Sequence, residues 1–380
     1  MFYIMVVILL FTLAPFNYSL SHINKLTNWG WEFSDTIKNV ILFIPVGFLL
    51  FPVLSGRHIY LYAILFGFLF SAFIEINQFF IPTRNPDIKD VLTNTAGTFI
   101  GCYGHMFVKN YFQKRSATLL HMGIPVMNIV FLLIPLLWLS SFAAGYEVDR
   151  LWFLLLLGII GAILISEIYI NRLPAKMIFY NVLFLILLNG WFLIGVFPSL
   201  IKYPQRILFF TFLINLLAAA RMRFGYKLSN DKRFELRSLN KIIPLFAIYL
   251  VLLSQWPIEM PHGSFSFSVF SDYKLQRSYT MSIYRFVEYF AAFAMVGYLI
   301  SQYVNRSRKI KNKTSHVLLW MLLFTVILEI PRGFHPAYTA SLEHIVISFA
   351  WGVFGAMIYV MQLDYFKHTK ISNEQRTPEV

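Results

Sequence analysis

Twelve apolar stretches alternate with short polar ones along this chain of 380 residues. Their cores fall near 2–16, 38–54, 59–80, 91–108, 118–143, 152–170, 178–199, 206–220, 240–256, 285–303, 316–331 and 342–363. Most approach the roughly 20 residues that carry an α-helix across the hydrocarbon core of a bilayer. Backbone in lipid must satisfy its own hydrogen bonds, and runs of this length do so as helices. The pattern therefore predicts an all-α, polytopic transmembrane helix bundle of about 12 spans, with the shorter spans tilted or packed deep in the bundle. The first run, MFYIMVVILLFTLAPF, lacks the basic flank and small-residue cleavage site of a signal peptide and reads as a retained first span.

One polar interruption stands out. The third run ends in EINQFFIPTRNPDIKD, residues 75–90, with ionisable groups inside or just beyond apolar sequence. Glu75 and Gln78 are three residues apart and share a helix face. Pro82 and Pro86 break the helix. Arg84 lies in the tight loop, and Asp87 or Asp90 opens the next helix, where an acid suits the N-terminus. Asp90, Asn94, Gly97 and Gly101 then fall on one face of that helix. A hairpin of the third and fourth spans brings the two faces together, with Arg84 as the expected partner of a buried carboxylate. Gly97 and Gly101 form a small-xxx-small stripe that lets helices approach closely.

The same frame recurs 254 residues later. Glu329 aligns with Glu75, Arg332 with Gln78, Phe334 with Phe80, Pro336 with Pro82, Ser348 with Asn94 and Gly355 with Gly101. Upstream, Phe293 and Gly297 match Phe43 and Gly47, and FSD recurs at Phe33–Asp35 and within 270–272. The expectation is a parallel repeat of a four-helix unit, a plan known from transporters. The units are 1–112 and a diverged 240–363, separated by middle helices and a basic loop at 113–239 and followed by a polar tail at 364–380. In the second copy Tyr338 replaces Arg84 and His344 replaces Asp90. Its polar set is Glu288, Glu329, Arg332, His335, Glu343 and His344. No ligand spacing there predicts a metal, and an i, i+3 pair of Glu329 with Arg332 is the plainer expectation.

Composition supports the membrane reading: 58% of residues are hydrophobic and only 13% charged, half the usual share. The formal charge of +14 does not point to nucleic acid, because the basic residues lie between apolar runs. With the N-terminus in the cytoplasm, 21 Lys and Arg fall inside and 11 outside, which satisfies the positive-inside rule. The expected location is the cytoplasmic (inner) membrane, with both termini cytoplasmic and the 75–90 motif facing out. One cysteine, Cys102, excludes a disulfide framework. There is no P-loop, no G-x-S-x-G and no zinc signature, so no cofactor is expected. Asp35 and Lys38 read as a helix-boundary pair, and the 40 Phe and 21 Tyr as bundle filling and interface anchors.

Taken together, NVILFIPVGFLL, E-x-x-Q-x-F-x-P-x-R and D-x-x-x-N-x-x-G-x-x-x-G resemble the VanZ-like membrane proteins. The residues are Asn39, Phe43, Pro45 and Gly47; Glu75, Gln78, Pro82 and Arg84; Asp90, Asn94, Gly97 and Gly101. The resemblance covers about residues 1–112. It implies a cell-envelope membrane protein linked to resistance to the glycopeptide teicoplanin or to exopolysaccharide. The residue pattern and the resemblance together suggest that the outward polar site binds, or moves, an amphipathic lipid-linked glycan or lipoglycopeptide. Candidate contacts are Glu75, Gln78, Arg84, Asp90 and Asn94, with Glu329 and Arg332 in the second copy. Membrane lipids are the other expected partner. Two further readings remain open: a membrane enzyme using Glu75 or Asp90 as a base on an envelope lipid or glycan, and a scaffold whose ion pairs only hold helices together.

Overall fold

A computed structural model describes residues 1–13, 18–19, 33–54, 58–82, 84–113, 117–172, 178–225, 234–261, 264–269, 279–307, 310 and 312–374. The second FSD and most of the basic loop residues lie outside the described residues. The chain is α-helical almost throughout, and each of the twelve apolar stretches contains a helix. Among the described residues, seven helices are long and apolar enough to cross a membrane, and three shorter ones are apolar. The protein is a membrane protein.

Two compact units divide the chain: residues 1–230 with 278–287, and residues 231–277 with 288–380. The first unit opens with α1 (Phe2–Leu13), α2 (Phe33–Leu50), α3 (Ile59–Gln78) and α4 (Ile88–Gln113). Its tightest packing joins α2 to α4, where glycine brings the two backbones into contact. A Cβ on Gly47 would fall 1.8 Å from the Thr98 carbonyl oxygen, and one on Gly101 would fall 2.1 Å from that of Ile44. α3 packs on this pair through Gly67, Phe70 and Ser71, which meet Thr98, Phe43 and Asn94, while Leu65, Phe68, Leu69, Phe73 and Ile76 stay exposed. An exposed apolar stripe this long is the face a bundle helix turns to lipid.

The same unit continues through α5 (Ala117–Ala144), α6 (Leu151–Arg172), α7 (Ile178–Gly195), the short α8 (Phe197–Lys202) and α9 (Pro204–Gly225). Polar clamps join these helices. Asn189 and Asn215 exchange side-chain amide hydrogen bonds at 3.1 and 2.8 Å. Glu167 pairs with Arg221. Ser199 donates from its amide and its hydroxyl to Ser141. Such bonds between helices contribute about 0.6 kcal/mol each in lipid, so they fix register more than they supply stability.

The second unit holds α10 (Phe234–Gln255), most of α11 (Tyr279–Arg306), α12 (Lys313–Arg332) and α13 (Leu342–Glu374). A two-residue parallel pair, β1 (Phe267–Ser268) with β2 (Ala340–Ser341), ties the segment after α10 to the α12–α13 loop. α11 is the most buried of the long apolar helices. Its small residues explain this, because Ala291, Ala292, Ala294 and Gly297 let neighbours close in. A Cβ on Gly297 would sit 1.7 Å from the Gly352 carbonyl oxygen, and one on Gly355 would sit 1.8 Å from that of Ala294. α12, like α3, leaves a long apolar face exposed, including Leu319, Trp320, Leu323, Ile327 and Ile330.

Candidate functional site

In the first unit the polar residues of the 75–90 motif gather where α1 ends and where α2 and α4 begin. Glu75 is buried, at 7% exposure, and its Oε2 accepts a 2.8 Å hydrogen bond from the Asp87 amide. Asp87 and Asp90 both lie within electrostatic range of Glu75. The Asn39 side-chain amide donates to Asp90 Oδ1 at 2.7 Å, which ties the start of α2 to the start of α4. One turn below, Asn94 donates to Ser71 Oγ at 2.9 Å. Its own Oδ1 is buried and has no hydrogen-bond partner, an omission that costs about 1–3 kcal/mol when nothing fills it.

Gln78 and Arg84 have a different task. The last carbonyls of a helix lack partners within it, and α1 ends at Leu13. Gln78 Nε2 donates to the Thr12 carbonyl at 3.0 Å, and Arg84 Nη2 donates to the Phe11 carbonyl at 2.9 Å. Both side chains therefore cap the end of α1. The pairing of Arg84 with Glu75 expected from the sequence is not what these bonds describe: a backbone amide serves Glu75, and a helix end receives the guanidinium. Gly97 and Gly101 lie against α2, where Cβ atoms would meet the carbonyl oxygens of Val40 at 2.3 Å and Ile44 at 2.1 Å.

Near the polar cluster lies a shallow, open apolar groove with a cavity volume of about 20 Å³. Its walls come from α1 (Ile8, Phe11), α2 (Leu42, Pro45) and α5 (Pro135, Trp138), among others. Phe11 belongs to both features, since its side chain lines the groove and its carbonyl holds Arg84. Asn39 stands about one turn above Leu42 on the same helix. The Trp138 indole N–H is buried beside the groove without a partner.

The second unit repeats several of these contacts with different chemistry. Glu329 accepts from the Ser341 amide at 2.9 Å, twelve residues on, as Glu75 does from Asp87. Its other oxygen bonds His344 Nδ1 at 2.6 Å, and Arg332 Nε lies 3.5 Å from Oε1. Arg332 also reaches the Ser254 carbonyl at 3.4 Å and the Tyr289 hydroxyl at 3.2 Å, and stacks on the Tyr338 ring. Ser254 is in the last turn of α10, so Arg332 caps that helix as Gln78 caps α1. Tyr338 donates to the Trp256 carbonyl beyond the same helix end. Glu288 is fully buried and accepts from the Tyr249 hydroxyl at 3.1 Å. His335 bonds the Pro257 carbonyl through Nε2 and accepts the Ala337 amide at Nδ1. Among the described residues no group of three or more His, Cys, Asp or Glu could hold a metal ion.

Sequence reasoning singled out Glu75, Gln78, Asp90 and Asn94, and all four lie in this cluster. It did not find the capping of α1, nor Ser71. Asn39 stood out only through the family pattern. The signal for the capping was present, because a helix ending without a basic last turn or a glycine needs donors from elsewhere.

Comparison with known proteins bears on the first unit. The VanZ/LLP1 family model matches residues 1–109. Protein VanZ of Enterococcus faecium is 31% identical over 125 residues, which are 32% of this chain and 76% of that protein. The chain belongs to the VanZ/LLP1 family. The VanZ/LLP1 match takes in α1, α2, α3 and nearly all of α4, and with them the polar cluster and two walls of the groove. The third wall, α5, lies beyond the family model. No solved structure matches the chain.

Proposed function

We propose that this VanZ-like protein binds an amphipathic, lipid-bearing envelope molecule, with its acyl chain in the groove of α1, α2 and α5 and its head at Glu75, Asp90 and Asn94. The observation that carries this reading is the continuity of the two features: the side chain of Phe11 lines the apolar groove and its carbonyl receives Arg84. Gln78 and Arg84 then act by holding α1, and so the groove's wall, against α3. Trp138 offers an indole donor for an ester or amide carbonyl where tail meets head. A lipoglycopeptide such as teicoplanin or a lipid-linked glycan has this shape, and the family's link to glycopeptide resistance agrees with it. Binding rather than turnover is favoured, since the cluster supplies neither an evident nucleophile nor a metal set among the described residues.

The reading includes about twelve crossings of the cytoplasmic membrane, with both termini inside and the cluster at the outer face. It also takes residues 240–363 as a diverged second copy. The paired contacts of Glu75 with Asp87 and of Glu329 with Ser341 support that, as do the capped ends of α1 and α10. In the second copy the carboxylate is already bonded by His344, which favours a structural role there.

The test is direct titration of purified protein in nanodiscs with teicoplanin and with its deacylated form. Burying even a few methylenes at about 0.8 kcal/mol each predicts at least tenfold tighter binding of the acylated compound. Ile8→Trp, which fills the groove, should abolish that difference. Arg84→Ala, which frees the end of α1, should weaken both ligands. Equal affinity of acylated and deacylated forms for the wild-type protein would remove the groove from the account.

A further inference from the structure

The head cluster is made almost wholly of hydrogen-bond acceptors. Glu75 has one described donor, the Asp87 amide, and Asp90 has one, the Asn39 amide on Oδ1. Beneath them Asn94 is 4% exposed, and its Oδ1 has no partner. Asn94 Nδ2 is committed to Ser71, one turn below Glu75, which places this side chain in the α3–α4 seam one turn below Asp90. Asp35 and Asp87 add further negative charge at Asp90, Lys89 offsets part of it, and Lys38 is paired with Asp35. Buried carboxylates in a membrane protein call for a cationic donor.

The second unit shows what such a donor looks like. There Glu329 has the same backbone partner twelve residues on. Its second oxygen is met by His344, which occupies the sequence position of Asp90, and Arg332 approaches from the other side. That unit carries its own partners for the carboxylate, an imidazole and a guanidinium, whereas the first unit has a carboxylate where His344 stands.

We infer that the first unit's site recognises a protonated primary amine on the ligand's head, held between Glu75 and Asp90 with Asn94 Oδ1 accepting its third hydrogen. An ammonium has three N–H donors and no acceptor, which matches the two carboxylates and the unpartnered Asn94 Oδ1 in number and kind. This inference rests on the groove-and-head reading and names the chemistry of the head. An aminophospholipid and an amino sugar both supply that group.

The experiment compares two matched pairs on the full-length wild-type protein in phosphatidylcholine nanodiscs, below micelle-forming concentrations. One pair is dioctanoyl phosphatidylethanolamine and its N-acetyl derivative. The other is octyl glucosaminide and octyl N-acetylglucosaminide. The free amine should bind at least tenfold more tightly than its acetylated partner in one pair, and that pair identifies the source. Glu75→Gln and Asn94→Leu should each reduce the preference for the free amine over its acetylated partner to threefold or less. If both members of both pairs bind equally, the amine inference fails and the groove reading stands. If no probe binds, both fail. Displacement of the amine by millimolar calcium or magnesium at matched ionic strength would assign the site to a metal ion and overturn the inference as well.

Discussion

Gly101→Val should yield no folded protein. A Cβ at this position would lie 2.1 Å from the Ile44 carbonyl oxygen, 2.7 Å from the Phe48 nitrogen and 3.0 Å from the Ile44 carbonyl carbon. All three are backbone atoms of α2, so no side chain can turn aside. Relief requires α2 and α4 to separate, which would break the Asn39–Asp90 bond and open the close contacts at Gly97 and Gly47. Overpacking by a methylene or two costs about 1–3 kcal/mol where side chains can adjust, and this site lacks that freedom. The expected loss exceeds about 3 kcal/mol, enough to remove the monodisperse peak in size-exclusion chromatography of detergent extracts. Two glycines serve as controls. Gly104, on the same helix, has its nearest neighbour at 4.0 Å, and Gly190 has nothing within 4 Å. Alanine at either should leave the melting temperature within a few degrees of wild type. A well-folded Gly101→Val protein would mean that α2 and α4 do not meet backbone to backbone.

The second large effect belongs to the other unit. Glu329 and His344 are 2% and 5% exposed and joined at 2.6 Å, with the Ser341 amide on the remaining oxygen. Removing His344 leaves Glu329 Oε2 buried without its hydrogen-bond donor, while the Ser341 amide and Arg332 stay on Oε1; the loss of a buried bond to a charged group costs about 1.5–3 kcal/mol. His344→Leu should therefore destabilise strongly, seen as a fall of many degrees in thermal unfolding or as loss of folded yield. Replacing both members by leucine removes the under-paired carboxylate and should recover part of the loss, although Arg332 then loses the acid 3.5 Å from it. Recovery should be incomplete, because the Ser341 amide would lose its acceptor, at about 1–3 kcal/mol. A double variant no better than the single one would show that the pair is not what holds this end of the unit together.

These two expectations mark where the sequence could and could not be read. A helix in each of the twelve apolar stretches followed from the runs of apolar residues, and among the described residues seven helices are long and apolar enough to cross a bilayer. The hairpin of α3 and α4 followed from Pro82 and Pro86 between two such runs. The partners of the polar residues did not follow. Arg84 seemed destined for Glu75, nine positions away, since proximity along the chain was the only distance available. The structure gives it the Phe11 carbonyl, 73 residues away, because the last carbonyls of α1 need donors. The joining of Asn39 to Asp90 and of Asn94 to Ser71 depends on how α2 and α3 are rotated about their axes, which apolar helices do not reveal: their hydrophobic residues run all the way round. The groove needed α5, from sequence with no polar motif to draw attention to it.

The glycine contact between α2 and α4 also has a consequence for biogenesis. α2 meets its closest partner only after α3 has been made and α4 has left the ribosome, since the opposing atoms belong to Val40, Ile44, Gly47 and Thr98. Until then α2, with Asn39 and Lys38 near its start and Pro45 within it, has no backbone surface to rest on. The α2–α4 seam therefore closes last among the first four helices, once the α3–α4 hairpin exists to supply it.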